Sequence, residues 1–110
     1  MALPLEFRIR GRRAFDEFRT SAKILHGGSL AVKVVGGKDG RAFAIAVPKR
    51  IGNAVRRNRL RRVLIEWIRL NMAMFPDGRH YLLVVRDSTA DEGALLAELR
   101  RLAERIPRDE

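Results

Sequence analysis

Apolar positions along the chain alternate between helical and strand-like spacing, and the switches mark its elements. In GRRAFDEFRTSAK, residues 11–23, Ala14, Phe15, Phe18 and Ala22 recur at helical intervals, which predicts a short amphipathic helix. Its start is basic, with Arg8, Arg10, Arg12 and Arg13. SLAVKVV (29–35) and RAFAIAV (41–47) are strand-like runs separated by GGKDG, whose glycines and Asp39 suit a turn with positive φ, so a hairpin is expected. The loop lacks the Gly-Lys-Ser/Thr ending of a phosphate cradle and leads into no helix. Past Pro48 the period becomes helical from about Asn53 to Met74, stopping at FPDG, where Pro76 and Gly78 break it. On this long helix Leu60, Val63, Leu64, Trp67, Asn71 and Met74 share one stripe. Asn58, Arg61, Arg62 and Arg69 share the opposite one, with Ile65 in its midst. HYLLVVR (80–86) is a continuous apolar run and predicts a buried strand. Residues 89–106 close the pattern as a helix with Leu95, Leu99, Leu102 and Ile106 inward, and TADE offers a capping box of Thr89 and Glu92.

The order helix, strands in a hairpin, helix, strand, helix defines an α+β sandwich with helices on the sheet. At 110 residues, one domain over 1–110 is expected, and 46% apolar residues supply a core without staples. The sequence has no cysteine, which removes disulfides, thiolate metal sites and thiol nucleophiles. MALPLEF is too short and too soon followed by arginines to form a targeting or spanning segment, and no run of about 18 apolar residues occurs. A cytoplasmic protein is expected. A formal charge of +10 and an isoelectric point near 11.4 call for a polyanionic partner.

No constellation for protein-borne catalysis emerges. His26 and His80 have no ligand-spaced neighbours, Asp16 and Glu17 are adjacent on a helix and diverge, and Asp87, Asp91 and Glu92 suit turn and cap positions. Ser21, Ser29 and Ser88 lack a nucleophile-elbow context. Neither a catalytic residue nor a protein-held metal is therefore expected. The chemistry concentrates instead in GNAVRRNRLRR (52–62), with five arginines in eleven positions. Charge runs on helices usually mix signs, but from Lys49 to Ile65 there is no acid at all. Arg57 and Arg59 carry guanidinium forks suited to phosphate oxygens, with Asn58 between them as donor and acceptor. A DNA recognition helix usually belongs to a three-helix unit, whereas this one lies among strands, which favours RNA.

PKRIGNAVRRNRLRRVLIE (48–66) resembles the signature of the protein subunit of bacterial ribonuclease P. Lys49 and Arg50 fall on its basic pair, Gly52 and Ala54 on its small positions, Arg57-Asn58-Arg59 on its central triplet, and Arg61 and Arg62 on its trailing pair. The resemblance covers nearly the whole chain. It implies an accessory subunit of an RNA enzyme that removes the 5′ leader from precursor tRNA, with magnesium ions acting alongside the catalytic RNA. The expected fold is a single-domain α-β-β-β-α-β-α sandwich, and the resemblance implies a left-handed β-α-β crossover, against the usual preference. The expected contacts with the RNA subunit are Lys49, Arg50, Asn53, Arg56, Arg57, Asn58, Arg59, Arg61 and Arg62. Those with the leader are Arg8, Arg12, Phe15, Arg19 and Lys33, in a cleft between the sheet and the first helix.

Three positions depart from the family's pattern. Ile65 stands where an arginine is usual, Arg19 replaces the second of two first-helix aromatics, and Lys33 falls near a strand position that is often aromatic. The implied leader site is more electrostatic and less stacked. A ribosomal or other non-enzymatic protein that binds structured RNA would share the charge and size but not the Arg-Asn-Arg signature. A membrane-surface protein would need for insertion the apolar residues that the long helix gives to its core.

Overall fold

The computed structural model describes residues 8, 9, 11–20 and 22–108; MALPLEF, Arg10 and Ser21 lie outside these. The element order is α1 (Arg12–Thr20), β1 (Lys23–His26), β2 (Leu30–Val35), β3 (Arg41–Ala46), a 3-10 turn (Lys49–Ile51), α2 (Ala54–Leu70), a second 3-10 turn (Met72–Met74), β4 (Arg79–Val85) and α3 (Glu92–Glu104). This is the expected α-β-β-β-α-β-α succession.

The four strands form one mixed sheet in the order β1-β2-β4-β3. β1 and β2 are antiparallel with Leu25 opposite Val32, β2 and β4 are antiparallel with Val32 opposite Leu83, and β3 and β4 are parallel with Ile45 opposite Leu83. The expected hairpin of 29–35 with 41–47 does not form, because β4 lies between those strands. The physical reason is burial: five of β4's seven residues are buried and they fall on both faces, so β4 takes a central place, while β3 goes to the edge. GGKDG still turns the chain, with Gly37 and Gly40 at positive φ, but it bonds to the 76–78 turn, Lys38 N–H donating to Gly78 O (2.8 Å) and Gly78 N–H to Gly40 O (2.8 Å). The strand that does pair with β2 across a tight turn is β1, whose four residues carry only one buried side chain, Leu25.

One sheet face packs under α2 and α3. Leu25, Val32, Val34, Phe43, Tyr81, Leu83 and Val85 meet Leu60, Leu64 and Ile68 of α2 and Leu95, Leu99 and Leu102 of α3. At its centre Phe43 stacks on Tyr81 (centroids 5.2 Å apart) and Phe75 meets both edge-on. The opposite face is covered by α1 through Phe18 and Ala14, which close over Val35, Ala42 and Leu82.

α2 ends at Leu70, four residues before the expected stop. Asn71 terminates it, its N–H reaching Trp67 O and Ile68 O and its side-chain amide donating to Trp67 O (2.9 Å). Arg41 then donates to Met72 O and Phe75 O, and Arg108 to Ala73 O and Met74 O, so arginines satisfy the carbonyls at this end. The buried stripe is Leu60, Leu64 and Ile68, with Val63 and Trp67 half-buried; Ile68 replaces Asn71 and Met74 of the sequence expectation. α3 is capped by Asp91, which accepts from Ala94 N–H at 2.7 Å, and not by the Thr89–Glu92 box. Thr89 instead bonds back to Asp87, and these two bonds hold the Asp87 carboxyl below its ordinary range. Glu92 is thereby free to turn towards α2.

Candidate RNA interface

The N-terminus of α2 is set by a cap and a close approach. Asn53 accepts from Arg56 N–H (2.9 Å), a cap whose loss costs about 1 kcal/mol in comparable helices. A Cβ at Gly52 would lie 2.6 Å from Arg56 Cδ, so glycine lets the Arg56 side chain fold back along the turn. There its guanidinium donates to Ile51 O, Ser88 O and Ala90 O, joining the start of α2 to the approach to α3. Asn53 and Arg56, both expected as RNA contacts, are thus engaged in building the helix start. Arg50 donates to Arg86 O (2.8 Å), and Arg57 to Gly52 O (3.1 Å).

Beyond that first turn the cations face outward. Asn58, Arg59 and Arg62 are exposed, and Arg57 and Arg61 half-exposed. Arg61 donates to Asn58 Oδ1 at 2.8 Å, so the asparagine holds one guanidinium in place while its amide stays available. Arg59 is held by Glu92: its Nε and Nη2 meet the two carboxylate oxygens, and this pairing raises the Arg59 pKa, first through the hydrogen bond and then through charge. The Nη1 edge of the fork remains for a phosphate. Although residues 49–65 carry no acid, folding therefore brings one to the motif from α3. Arg69, placed on the cationic stripe by the sequence, pairs with Glu66, which lowers the Glu66 pKa through that hydrogen bond. Lys49 is exposed just before the helix.

Ile65 does not interrupt the cationic face. It leans onto the core and, with Ile45, Phe43, Ile9, Arg8 and Arg61, lines a pocket of about 320 Å³ at the outer edge of β3. Sequence periodicity missed this pocket, because the strand edge that builds it depends on β4 displacing β3 outward.

The leader-side expectations other than Arg8 map to the other sheet face and to α1, which covers it. Phe15 is 40% exposed while Phe18 is 3% exposed, so only the second belongs to the core. Arg12 and Arg19 are exposed on α1, Arg19 donating to Asp16 at 2.7 Å, and Lys33 is half-buried on β2 opposite Ile24 and Leu82. Arg8 bridges to Phe43 at the edge of β3. Along this face run the small residues Ala31, Ala44 and Ala46, in register with Val84 and Leu82, which leave a shallow floor beside α1. Among the described residues no three His, Asp or Glu side chains come together as a metal set, and no helix is long and apolar enough to cross a membrane.

Fold and surface together define a small, strongly basic α+β protein with one helix face of exposed cations. Comparison with known proteins makes this specific. The sequence profile of the family described as Ribonuclease P matches residues 3–107, and the chain belongs to that family. It is 32% identical over 120 residues to the ribonuclease P protein component of Prochlorococcus marinus (strain MIT 9215), covering 93% of this chain and 94% of that one. It is 31% identical over 100 residues to that of Finegoldia magna, covering 86% and 88%. The solved ribonuclease P protein of Thermotoga maritima superposes with a TM-score of 0.80 at 29% identity over 91% of this chain and 97% of that one. That of Staphylococcus aureus, at 18% identity, has the same fold with a TM-score of 0.79, over 87% and 91%.

Proposed function

We propose that the protein is the accessory subunit of a ribonuclease P that removes the 5′ leader of precursor tRNA in the cytoplasm. Its two RNA partners are the catalytic RNA and precursor tRNA. The reading rests above all on the outward row Arg57, Asn58, Arg59, Arg61 and Arg62 on α2, in a chain of this family. Catalysis belongs to the RNA, with magnesium ions held by it. The protein's residues neutralise and position phosphates: Lys49, Arg50 and the α2 arginines on the catalytic RNA, with Asn53 and Arg56 holding the start of the helix. Arg12, Phe15, Arg19 and Lys33 meet the leader, while Arg8, at the edge of β3, lines a pocket together with Arg61 of α2. Neutralising RNA phosphates lowers the magnesium needed to fold and dock the RNA, and gripping the leader favours precursor over product.

The test is cleavage of precursor tRNA by a bacterial ribonuclease P RNA at low magnesium, with and without the protein. Stimulation is expected. Replacing Arg57, Arg59, Arg61 and Arg62 by Ala should weaken binding to that RNA and flatten its salt dependence by about 0.7 to 1 in log-log slope for each phosphate no longer neutralised, without loss of thermal stability. Absence of stimulation, or an unchanged slope in the quadruple variant, overturns the reading.

A further inference from the structure

The pocket at the outer edge of β3 combines three features that a flat cationic face lacks. Its floor is apolar, made by Ile45 and by Ile65, both packed against the main core. Its lining includes two arginines, Arg8 from the N-terminal segment and Arg61 from α2, and no acid is among its described lining residues. Its wall is a strand edge. Ile9 N–H donates to Phe43 O at 3.0 Å on this side, and the two-residue period of a strand sends the N–H and C=O of Ile45 the same way. An apolar floor, a cationic lining and a backbone donor beside an acceptor match the face, phosphates and edge of one nucleotide. The volume of about 320 Å³ is at the small end of ligand-sized pockets, which suits one nucleotide and no helical segment.

We propose that this pocket holds one unstacked nucleotide of the catalytic RNA, its base against Ile45 and Ile65 and its flanking phosphates between Arg8 and Arg61. This deepens the proposed function and rests on it. The catalytic RNA is the source because the pocket opens beside α2, with Arg61 shared between it and the depression formed by Val55, Asn58 and Arg62. Phe15 and Lys33, expected to meet the leader, lie on α1 and on the opposite sheet face. Isoleucine at position 65 gives the base an apolar seat where an arginine would offer a second phosphate contact.

The test is base-specific chemical probing of a bacterial ribonuclease P RNA, free and bound to the protein, in parallel with affinity and thermal denaturation. In the wild-type complex one unpaired base should lose reactivity. Ile65→Phe, which fills the pocket without adding charge, should restore that base's reactivity and weaken binding by about tenfold, while the salt slope and the backbone protection under α2 persist. Ile45→Ala, which removes part of the floor, should restore the same base. If Ile65→Phe folds poorly, Ile65→Gln makes the same comparison with an amide on the floor. An unchanged protection pattern in folded variants overturns the nucleotide pocket and leaves the wider RNA-binding reading intact. A loss confined to leader-bearing precursor tRNA assigns the pocket to the leader and overturns this proposal. A wild-type protein that leaves no protection anywhere on the RNA removes the proposed function itself.

Discussion

Phe15 and Phe18 sit three positions apart on one helix and meet opposite environments. Phe18 is 3% exposed among Val35, Ala42 and Leu82, whereas Phe15 keeps 40% of its surface in water beside exposed arginines. An aromatic ring left in solvent next to Arg12 and Arg19 offers a base-stacking surface worth about 1–3 kcal/mol. Phe15→Ala should therefore weaken holoenzyme binding to leader-bearing precursor tRNA by roughly five- to a hundred-and-fifty-fold. Binding to mature tRNA and to the catalytic RNA should be unchanged, with little lost in a denaturation curve. Equal weakening for precursor and mature tRNA would refute a leader contact. Nearby, His80 on β4 has a buried Nδ1 with no hydrogen-bond partner among the described residues. Burial first, then the charge of Lys38, lowers its pKa, while Glu17, which pairs with Lys38, acts the other way. Because the folded imidazole resists protonation, the unfolded chain binds more protons just below its ordinary pKa of about 6.5, and stability falls as the pH drops through that window. His80→Gln, which cannot titrate, should show a shallower fall in Tm from pH 7 to pH 5. Superimposable profiles would mean that the imidazole titrates alike folded and unfolded.

At the level of elements, what the sequence makes legible is set by how local the deciding contacts are. α2 and α3 are readable because Leu60 and Leu64, and Leu95, Leu99, Leu102 and Ile106, repeat at helical spacing and bury one side. β4 is readable from its unbroken apolar run. The partner of β2 is not, since the GGKDG turn looks the same whether its flanking strands pair or are separated by a third, and only the insertion of β4 decides it. β1 escapes notice because KILH has one buried residue and no sustained alternation. The candidate site divides the same way. A motif contiguous in sequence, 57–62, announces its own cationic face, but the roles of Arg56 and Asn53 at the helix start, the carboxylate of Glu92 on Arg59 and the seat formed by Ile45 and Ile65 come from elements far apart in the chain. Ile65 shows this best: helical spacing sets it among arginines, whereas packing turns it onto the core beside the edge strand.

For the whole molecule, charge is the feature that folding leaves unbalanced. The sequence has 23 Lys and Arg against 13 Asp and Glu. The acids Asp16, Glu17, Glu66, Glu92 and Glu98 are each already paired with a cation. Such exposed pairs each contribute little, about 0–1 kcal/mol, so they do not offset the repulsion along α2, where Arg57, Arg59, Arg61 and Arg62 crowd two turns. Salt should therefore act with opposite signs on folding and on RNA binding. Raising sodium chloride from 0.01 M to 0.1 M shortens the screening length from about 30 Å to about 10 Å, which relieves repulsion within the folded chain while weakening its hold on RNA phosphates. The Tm of the free protein should rise over this range as its affinity for the catalytic RNA falls. In the quadruple Arg57, Arg59, Arg61 and Arg62→Ala variant four of the repelling charges are gone, so both dependences should flatten together. A free-protein Tm that falls with salt would mean that the five surface pairs outweigh the repulsion, and that the cationic face of α2 carries no stored cost for RNA to relieve.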